Sequence, residues 1–364
     1  MIRLEKSLYT LLFLCFFSQL TQAQETITPK LIWAVNKVDL GTILEEQGPQ
    51  VAEFEFTHTQ DSLFYIETVV TDCGCTTVEY TKDTLVVGET GILKVSFDPS
   101  SGAGFFSRMI VVKGNLQDVQ DTLYIEGNAI PRASDPVGTY RTRKGDLGFR
   151  LEKINVGEVF TNVPKLKQVE VFNFGKTPFY KDSLTYVGPE YIQVKQLTDS
   201  IMPNDRGLLQ VAYNGAMKND LGYFEDQVSL TWQDSTGFIA LSVLADIFEY
   251  YAPFSKDDLK QVPQLVIDPK EIDLKTIKNS AIQEKEVLLT NKGREPLEIK
   301  KIQGNCTCLK LEIPKTTLDP GESIYLKVTF DPKGRQGIDQ RNIYIFSNDP
   351  LNPVQLFLLK SRVE

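Results

Sequence analysis

Four cysteines carry most of the chemistry that this sequence can perform, and they stand in two pairs with one residue between the partners. The first pair is Cys73 and Cys75, and the second is Cys306 and Cys308. One further cysteine, Cys15, lies within an apolar N-terminal run. Two thiols at this spacing can close a small disulfide ring, exchange disulfides with a partner, or hold a soft metal ion.

A disulfide within each pair is the simplest arrangement, because the partners adjoin each other, although four cysteines allow three connectivities. Cα atoms two residues apart in an extended strand are about 6.5–7 Å apart, so the chain must bend to form the bond. Gly74 permits that bend more readily than Thr307. Closing so small a ring stabilises a fold by only about 1.5 kcal/mol. We therefore expect a local role, either shaping a loop or offering thiol chemistry.

Redox activity and metal binding are the alternatives for these four cysteines. Thioredoxin-type motifs space their cysteines by two residues at a helix N-terminus, and this sequence predicts neither feature. Two thiolates suit Cu(I), but zinc takes four ligands. The only histidine, His58, does not supply them. The cysteines are weak metal candidates, and no cofactor is expected.

The residue types also predict that the chain is not an enzyme. One histidine cannot complete a Ser-His-Asp or Cys-His set at both cysteine pairs. The 48 acidic residues include no pair that the sequence marks as a matched acid and base, and no glycine-rich phosphate loop leads into a helix. By the repeat described below, His58 aligns with Phe174 and Asn291 in turn segments, and we interpret it as an exposed hairpin residue.

The first 23 residues have the pattern of a cleaved signal peptide. A basic start precedes an apolar run over residues 8–17, and a small-residue pattern permits cleavage after Ala23. The run is too short for a membrane-spanning helix. Cys15 is expected to be lost with this segment. Export to the periplasm or cell surface follows, and such compartments favour disulfides.

The composition and net charge of the chain exclude some classes of partner. The chain is 41% hydrophobic and 24% charged, which is typical of globular domains, and its formal net charge is -9 without a basic cluster. An acidic chain repels nucleic acid and anionic membranes, so neither is an expected partner. No segment after the N-terminus has about 18 consecutive apolar residues, so the mature chain is not expected to span a membrane.

One unit of roughly 100 residues is repeated three times. Short runs such as Leu93–Phe97 and Leu326–Phe330 alternate apolar and polar residues, as half-buried strands do. The strand and turn that end at Asp98 return at Asn214 and Asp331, at separations of 116 and 117 residues. A second set of similar segments, which we call the second sequence anchor, recurs with nearly the same period. Its members are Leu40–Ile43, Val156–Val159 and Leu274–Ile277.

The unit size and the strand pattern predict an immunoglobulin-like sandwich. The expected fold class is all-β, with three tandem immunoglobulin-like β-sandwich domains after a cleaved signal peptide (residues 1–23). The domains are expected over residues 31–131, 148–247 and 262–364. The middle copy is degenerate and has Gly188–Tyr191 where its siblings have cysteines. Short, stiff linkers predict limited contact between neighbours, unless Tyr250, Tyr251 and Phe254 pack on an adjoining domain.

These motifs resemble those of a known family. The first copy combines Cys73–Thr76 with Gly88-Glu89 and the strand Val95–Pro99, and the third copy repeats most of this pattern. The sequence resembles a bacterial Ig-like domain family of unknown function with a Cys-Gly-Cys-Thr motif (unknown-function family 1573). That family is common in Bacteroidetes-type envelopes and is similar to Hydin-type Ig-like modules. The resemblance covers residues 31–131 and 262–364 well, and it assigns no activity.

Together these features predict an exported, non-enzymatic cell-envelope protein that acts as a structural spacer or interaction module. The expected partner is an envelope protein or a glycan, bound through exposed edge strands or end loops. The alternative is a thiol-redox or copper-handling envelope protein that uses the two Cys-X-Cys pairs.

Overall fold

The computed structural model describes residues 31–116, 119–233, 237–255 and 261–364, and most of them lie in β-strands. The predicted signal peptide, residues 1–23, lies outside the described residues. The chain divides after Arg132 into two compact units. One hydrophobic core lies in the first unit and two lie in the second. The prediction of an all-β, immunoglobulin-like fold is confirmed. In the described residues, no helix is long and apolar enough to cross a membrane.

The first unit is a sandwich of two sheets, and a 3-10 turn at Pro99–Ser101 follows its sixth strand. In its described residues the strands are β1 (Leu31–Trp33), β2 (Lys37–Leu44), β3 (Gln50–His58), β4 (Ile66–Thr71), β5 (Thr76–Tyr80), β6 (Thr90–Phe97), β7 (Gly104–Gly114) and β8 (Gln120–Ile130). The sheet orders are β1-β3-β6-β5 and β2-β8-β7-β4. Alternate residues of these strands, such as Phe54, Leu93 and Val95, are fully buried between the sheets.

The second sandwich begins the second unit. Its described elements are α1 (Pro136–Thr139), β9 (Thr142–Lys144), β10 (Leu147–Phe149), β11 (Lys153–Phe160), β12 (Lys165–Asn173), β13 (Phe179–Tyr180), a 3-10 turn (Lys181–Ser183), β14 (Leu184–Val187), β15 (Ile192–Gln196), β16 (Ser200–Ile201), β17 (Arg206–Tyr213), α2 (Gly215–Lys218), β18 (Gly222–Trp232) and β19 (Ile239–Phe248). The sheet orders are β15-β17-β12-β10-β9 and β11-β19-β18-β14, with β13 and β16 as a small ribbon. Residues ahead of position 148 take part in the sandwich, since Leu147 is fully buried in its core.

The third sandwich completes the second unit. Its described strands are β20 (Leu265–Asp268), β21 (Glu271–Ile277), β22 (Gln283–Asn291), β23 (Leu297–Gly304), β24 (Leu309–Glu312), β25 (Thr317–Leu318), β26 (Ser323–Phe330), β27 (Gly337–Ser347) and β28 (Val354–Val363). The sheet orders are β20-β22-β26-β24 and β21-β28-β27-β23-β25. This topology matches that of the first sandwich, strand for strand, apart from the added β25.

A β-bulge recurs at one place in all three sandwiches. The pairs β2–β8, β11–β19 and β21–β28 are parallel, and each shifts register within its first strand. One residue there has positive φ and donates its N–H to the side-chain oxygen of the residue two positions earlier. These pairs are Gly41 with Asp39 (2.7 Å), Gly157 with Asn155 (2.8 Å) and Lys275 with Asp273 (2.8 Å). The second sequence anchor thus marks a shared backbone feature.

The second and third sandwiches contact each other within the second unit. The Tyr223 backbone N–H donates to Gln303 Oε1 at 2.8 Å, and Gln303 Nε2 donates to the Tyr223 carbonyl at 3.0 Å. Two ion pairs add to the contact, Lys300 with Glu249 and Lys301 with Asp220. In the connecting segment, Tyr251 Oη donates to the Glu249 carboxylate and lies 3.3 Å from the Ser347 carbonyl oxygen of the third sandwich. For these two sandwiches the alternative prediction holds at Tyr251, which contacts the adjoining domain, and the expectation of limited contact is wrong.

Candidate functional sites at the cysteine corners

Each cysteine pair lies where the chain crosses from one sheet of its sandwich to the other. Cys73 and Cys75 stand between β4 and β5, which are edge strands of opposite sheets, and Cys306 and Cys308 stand between β23 and β24. The structure joins each pair as a disulfide with a Cα–Cα distance of 5.2 Å. The four predicted site residues therefore form two separate rings, one in each unit. The chain bends at each ring, as the spacing requires.

Backbone hydrogen bonds close the same turn at both corners. The Thr76 N–H donates to the Cys73 carbonyl at 3.2 Å, and the Asp98 N–H donates to the Cys75 carbonyl at 3.0 Å. The third sandwich repeats both bonds, from Leu309 to Cys306 (3.4 Å) and from Asp331 to Cys308 (2.9 Å). The second bond of each corner begins the ladder to the neighbouring strand. The turn therefore sets where the edge strand starts.

The second sandwich makes this turn without cysteines. The Ile192 N–H donates to the Pro189 carbonyl at 3.0 Å, and the Asn214 N–H donates to the Tyr191 carbonyl at 2.8 Å. Pro189 thus occupies the place of the first cysteine and Tyr191 that of the second. Proline fixes its own φ and restricts the turn in the unfolded chain as well. The turn is a property of the fold, and the disulfide is one way to reinforce it.

A hydrogen-bond network reinforces the corner of the second sandwich. The carboxylate of Asp226 accepts from Tyr191 Oη at 2.7 Å, Tyr213 Oη at 2.7 Å and Lys218 Nζ at 3.0 Å. Burial opposes ionisation of Asp226, but the hydrogen bonds from Tyr213, Tyr191 and Lys218 outweigh it and lower its pKa. Burial, together with the hydrogen bond to Asp226, raises the pKa of Tyr213. An ionised carboxylate therefore holds Tyr191 in place.

The surroundings of the two disulfide rings are typical of structural disulfides. All four cysteines are half-buried. Cys75 packs against the core of the first sandwich and Cys308 against that of the third. In the described residues, no group of three or more His, Cys, Asp or Glu is placed to hold a metal ion. Thiol exchange would have to begin by attack on one of these half-buried sulfurs.

His58 is buried, so its interpretation as an exposed hairpin residue is wrong. Its side chain is fully covered, its Nε2 lies 2.6 Å from the Ser62 carbonyl oxygen, and its ring stacks on Phe64. The same position is held by Asn173 and Asn291, which are also fully buried. Both asparagines donate Nδ2 to the carbonyl four residues ahead, at 2.8 Å.

The predicted alignment of His58 with Phe174 is wrong by one residue. His58 and Asn173 each exchange backbone hydrogen bonds with the turn that precedes the next strand of the sheet, as does Asn291. The polar side chain at this position bonds to a backbone carbonyl of the loop that follows. Because this hydrogen bond gives it a partner, the polar side chain can be buried there. Asn173 and Asn291 each also accept the N–H of a glycine two residues later. That asparagine–x–glycine pattern was the available sequence signal.

A cleft of about 850 Å³ lies between the second and third sandwiches, and sequence reasoning missed it. Its lining includes Tyr223, Asp246 and Phe248 from the second sandwich and Cys306, Tyr344 and Phe346 from the third. One cysteine ring therefore borders a concave surface. The cleft depends on how two domains dock, and no local motif encodes that.

The fold and the cysteine corners define a tandem immunoglobulin-like β-sandwich protein. The model of the family described as "Protein of unknown function (DUF1573)" matches residues 31–129 and 265–361, which is more than half of the chain. The chain belongs to this family. The two matched regions coincide with the two sandwiches that carry cysteine rings.

Solved structures resemble the chain at low identity. A protein of unknown function from Porphyromonas gingivalis W83 is 14% identical over 60% of this chain and 100% of that chain, with a TM-score of 0.46. A three-domain titin fragment, I67–I69, is 10% identical over 92% of this chain and 98% of its own, with a TM-score of 0.20. The PapD-like domain 7 of human CEP192 is 13% identical over 32% and 93%, with a TM-score of 0.23. No curated protein matches.

Proposed function

We propose that this chain is an exported, non-enzymatic protein of the cell envelope, in the periplasm or at the cell surface. It acts as a structural spacer or interaction module, and its partner is an envelope protein or a glycan. The signal-peptide pattern supports export, and the tandem sandwiches and membership of a family without an assigned activity agree with such a role. We favour recognition of a protein partner by strand addition.

One observation carries the proposal, namely the unpaired outer edge of β5. This strand pairs with β6, and no other strand of the described residues pairs with it. The Asp98 bond to Cys75 and the Thr81 bond to Ile92 fix which residues face β6. By the alternation of an antiparallel ladder, the backbone groups of Val78 point away from β6. An exposed edge of this kind is a template for an added strand, and the Cys73–Cys75 corner sets where it begins.

Val78→Pro is expected to abolish capture of the partner and to keep the sandwich folded. Proline removes the outward N–H that an added strand needs, and it is tolerated at sheet edges. The matched control is Val78→Ala, which trims the same side chain and keeps the N–H. The full chain is immobilised, envelope extract is passed over it, and retained proteins and glycans are quantified by mass spectrometry.

The wild type and Val78→Ala should retain the same partner, and Val78→Pro should lose it. Equal retention by Val78→Pro would rule out strand addition at this edge. A wild-type chain that retains no more than an unrelated sandwich protein would contradict the interaction role itself. Circular dichroism of each variant checks that the fold is kept.

Thiol redox chemistry or copper handling is the second candidate, and one observation favours it. Cys306 lines the cleft between the second and third sandwiches, where a ligand or partner can approach it. In this case mild reductants should open the rings, seen as a gain of two hydrogens per ring in intact mass. Cu(I) should then bind at two equivalents and fail to bind after Cys→Ser replacement. Rings that resist mild reduction would remove this candidate.

A further inference from the structure

The cleft in the second unit has aromatic walls from both of its sandwiches. Tyr223 and Phe248 come from the second, and Tyr344 and Phe346 come from the third. The rings of Phe248 and Phe346 lie 6.5 Å apart between centroids. The two hydrogen bonds between Gln303 and the Tyr223 backbone hold the walls at this separation. The cleft is therefore formed by specific contacts between the second and third sandwiches.

One charged residue, Asp246, belongs to the lining of this cleft. It lies directly across from Glu158 in the β11–β19 pair and from Tyr223 in the β18–β19 pair. Burial and the neighbouring charge of Glu158 raise the pKa of Asp246. Among the described residues, neither acid forms an ion pair. Lys153, which lies on the same sheet, pairs with Glu225 at 2.8 Å.

We infer that this cleft binds a lysine or arginine side chain of a partner polypeptide. The aromatic rings of the lining attract the cation, and the carboxylate of Asp246, with Glu158 beside it on the neighbouring strand, supplies the opposite charge. The apolar stem of such a side chain packs against the rings while its charged head reaches Asp246. The volume accommodates the side chain together with flanking residues of the segment.

This inference deepens the proposed interaction role and rests on it, since it names the chemistry of a partner. It concerns the second unit, whereas the β5 edge belongs to the first. If the cleft binds no charged peptide, capture of a partner through β5 is unaffected. If Val78→Pro captures the partner as the wild type does, peptide binding at the cleft is unaffected. The two failures are therefore distinguishable.

The test uses the full chain and short acetylated, amidated peptides of glycine and serine with one central arginine, lysine or glutamine. Binding is followed by calorimetry and by NMR shifts of the cleft residues. The arginine and lysine peptides should bind saturably, and the glutamine peptide should not. Asp246→Asn should weaken binding at least about tenfold, because it removes the charge and keeps the shape.

The matched control is Glu225→Gln. It removes a carboxylate that lies on the same face of the sheet and that already forms an ion pair with Lys153. It should bind the peptides as the wild type does. Equal binding of the glutamine peptide, unchanged binding by Asp246→Asn, or no saturable binding of the charged peptides would overturn the proposal. Binding of tetramethylammonium with no binding of the peptides would also overturn it, because the occupant would then be a small cation.

Discussion

Glu170→Ala is expected to lower the free energy of unfolding of the second sandwich by about 3–5 kcal/mol. The Glu170 side chain is 2% exposed. Its carboxylate accepts from Arg206 Nη1 at 2.6 Å, Arg150 Nε at 2.5 Å and Tyr140 Oη at 2.5 Å. The Arg206 side chain is as buried as Glu170. Removing the carboxylate takes one hydrogen-bonded partner from the buried Arg206 guanidinium and the acceptor from the buried Tyr140 hydroxyl.

Denaturant titration followed by tryptophan emission measures this effect. The chain has two tryptophans, and Trp232 is buried in the second sandwich, so a Trp33→Phe background isolates the signal of that domain. The control is Asp199→Ala in the same sandwich, because the Lys181–Asp199 pair is exposed and should contribute little. In the Glu170→Leu background, Arg206→Met should recover part of the stability, since it removes a buried charge that has lost the Glu170 carboxylate. Similar midpoints for Glu170→Ala and Asp199→Ala would contradict the expectation.

Asp226→Ala is expected to cost the second sandwich about 2–3 kcal/mol. Tyr191 and Tyr213 would lose their acceptor, and Lys218 would lose its carboxylate partner and keep its hydrogen bond to Tyr191 Oη. Tyr191 stands where the other sandwiches have a cysteine, so this network is the counterpart of the disulfide. The measurement is the same Trp232 titration. A loss no larger than that of an exposed ion pair would show that the network does not reinforce the corner.

The lowered pKa of Asp226 also gives a pH dependence with a definite sign. A carboxyl group with a lower pKa in the folded than in the unfolded state contributes stability above its unfolded pKa, near 3.8, and loses it as the pH falls through the folded pKa. The second sandwich should therefore lose stability below about pH 4. The Asp226→Asn variant should lose less over the same range. Parallel pH profiles for the two proteins would contradict this assignment.

The sequence predicted the architecture because the residues that repeat along the chain form the same backbone features in each sandwich. The segments that contain Gly41, Gly157 and Lys275 share one bulge, and the alternating runs became strands of the three sandwiches. Such local features follow from side-chain alternation and turn chemistry. The cysteine spacing also predicted the bend of the chain that each ring occupies.

What sequence reasoning missed depends on contacts across the fold. The alignment of His58 with turn segments predicted an exposed side chain, yet the side chain is buried and contacts the Ser62 carbonyl of the following loop. The network around Asp226 joins residues 8 to 35 positions apart. The cleft depends on Gln303 bonding the backbone of a residue 80 positions earlier. Spacing along a chain does not encode such pairings, because docking and burial decide them.

Partner capture by a chain with all four ring cysteines replaced by serine tests the structural role of the rings most directly. Each ring contributes at most about 1.5 kcal/mol, so the variant should stay folded. It should retain the same partner from envelope extract as the wild type, in equal amount, and denaturant without reductant should release that partner from both. A partner that is absent from the serine variant, and that only a thiol releases from the wild type, would mean that the rings work by disulfide exchange.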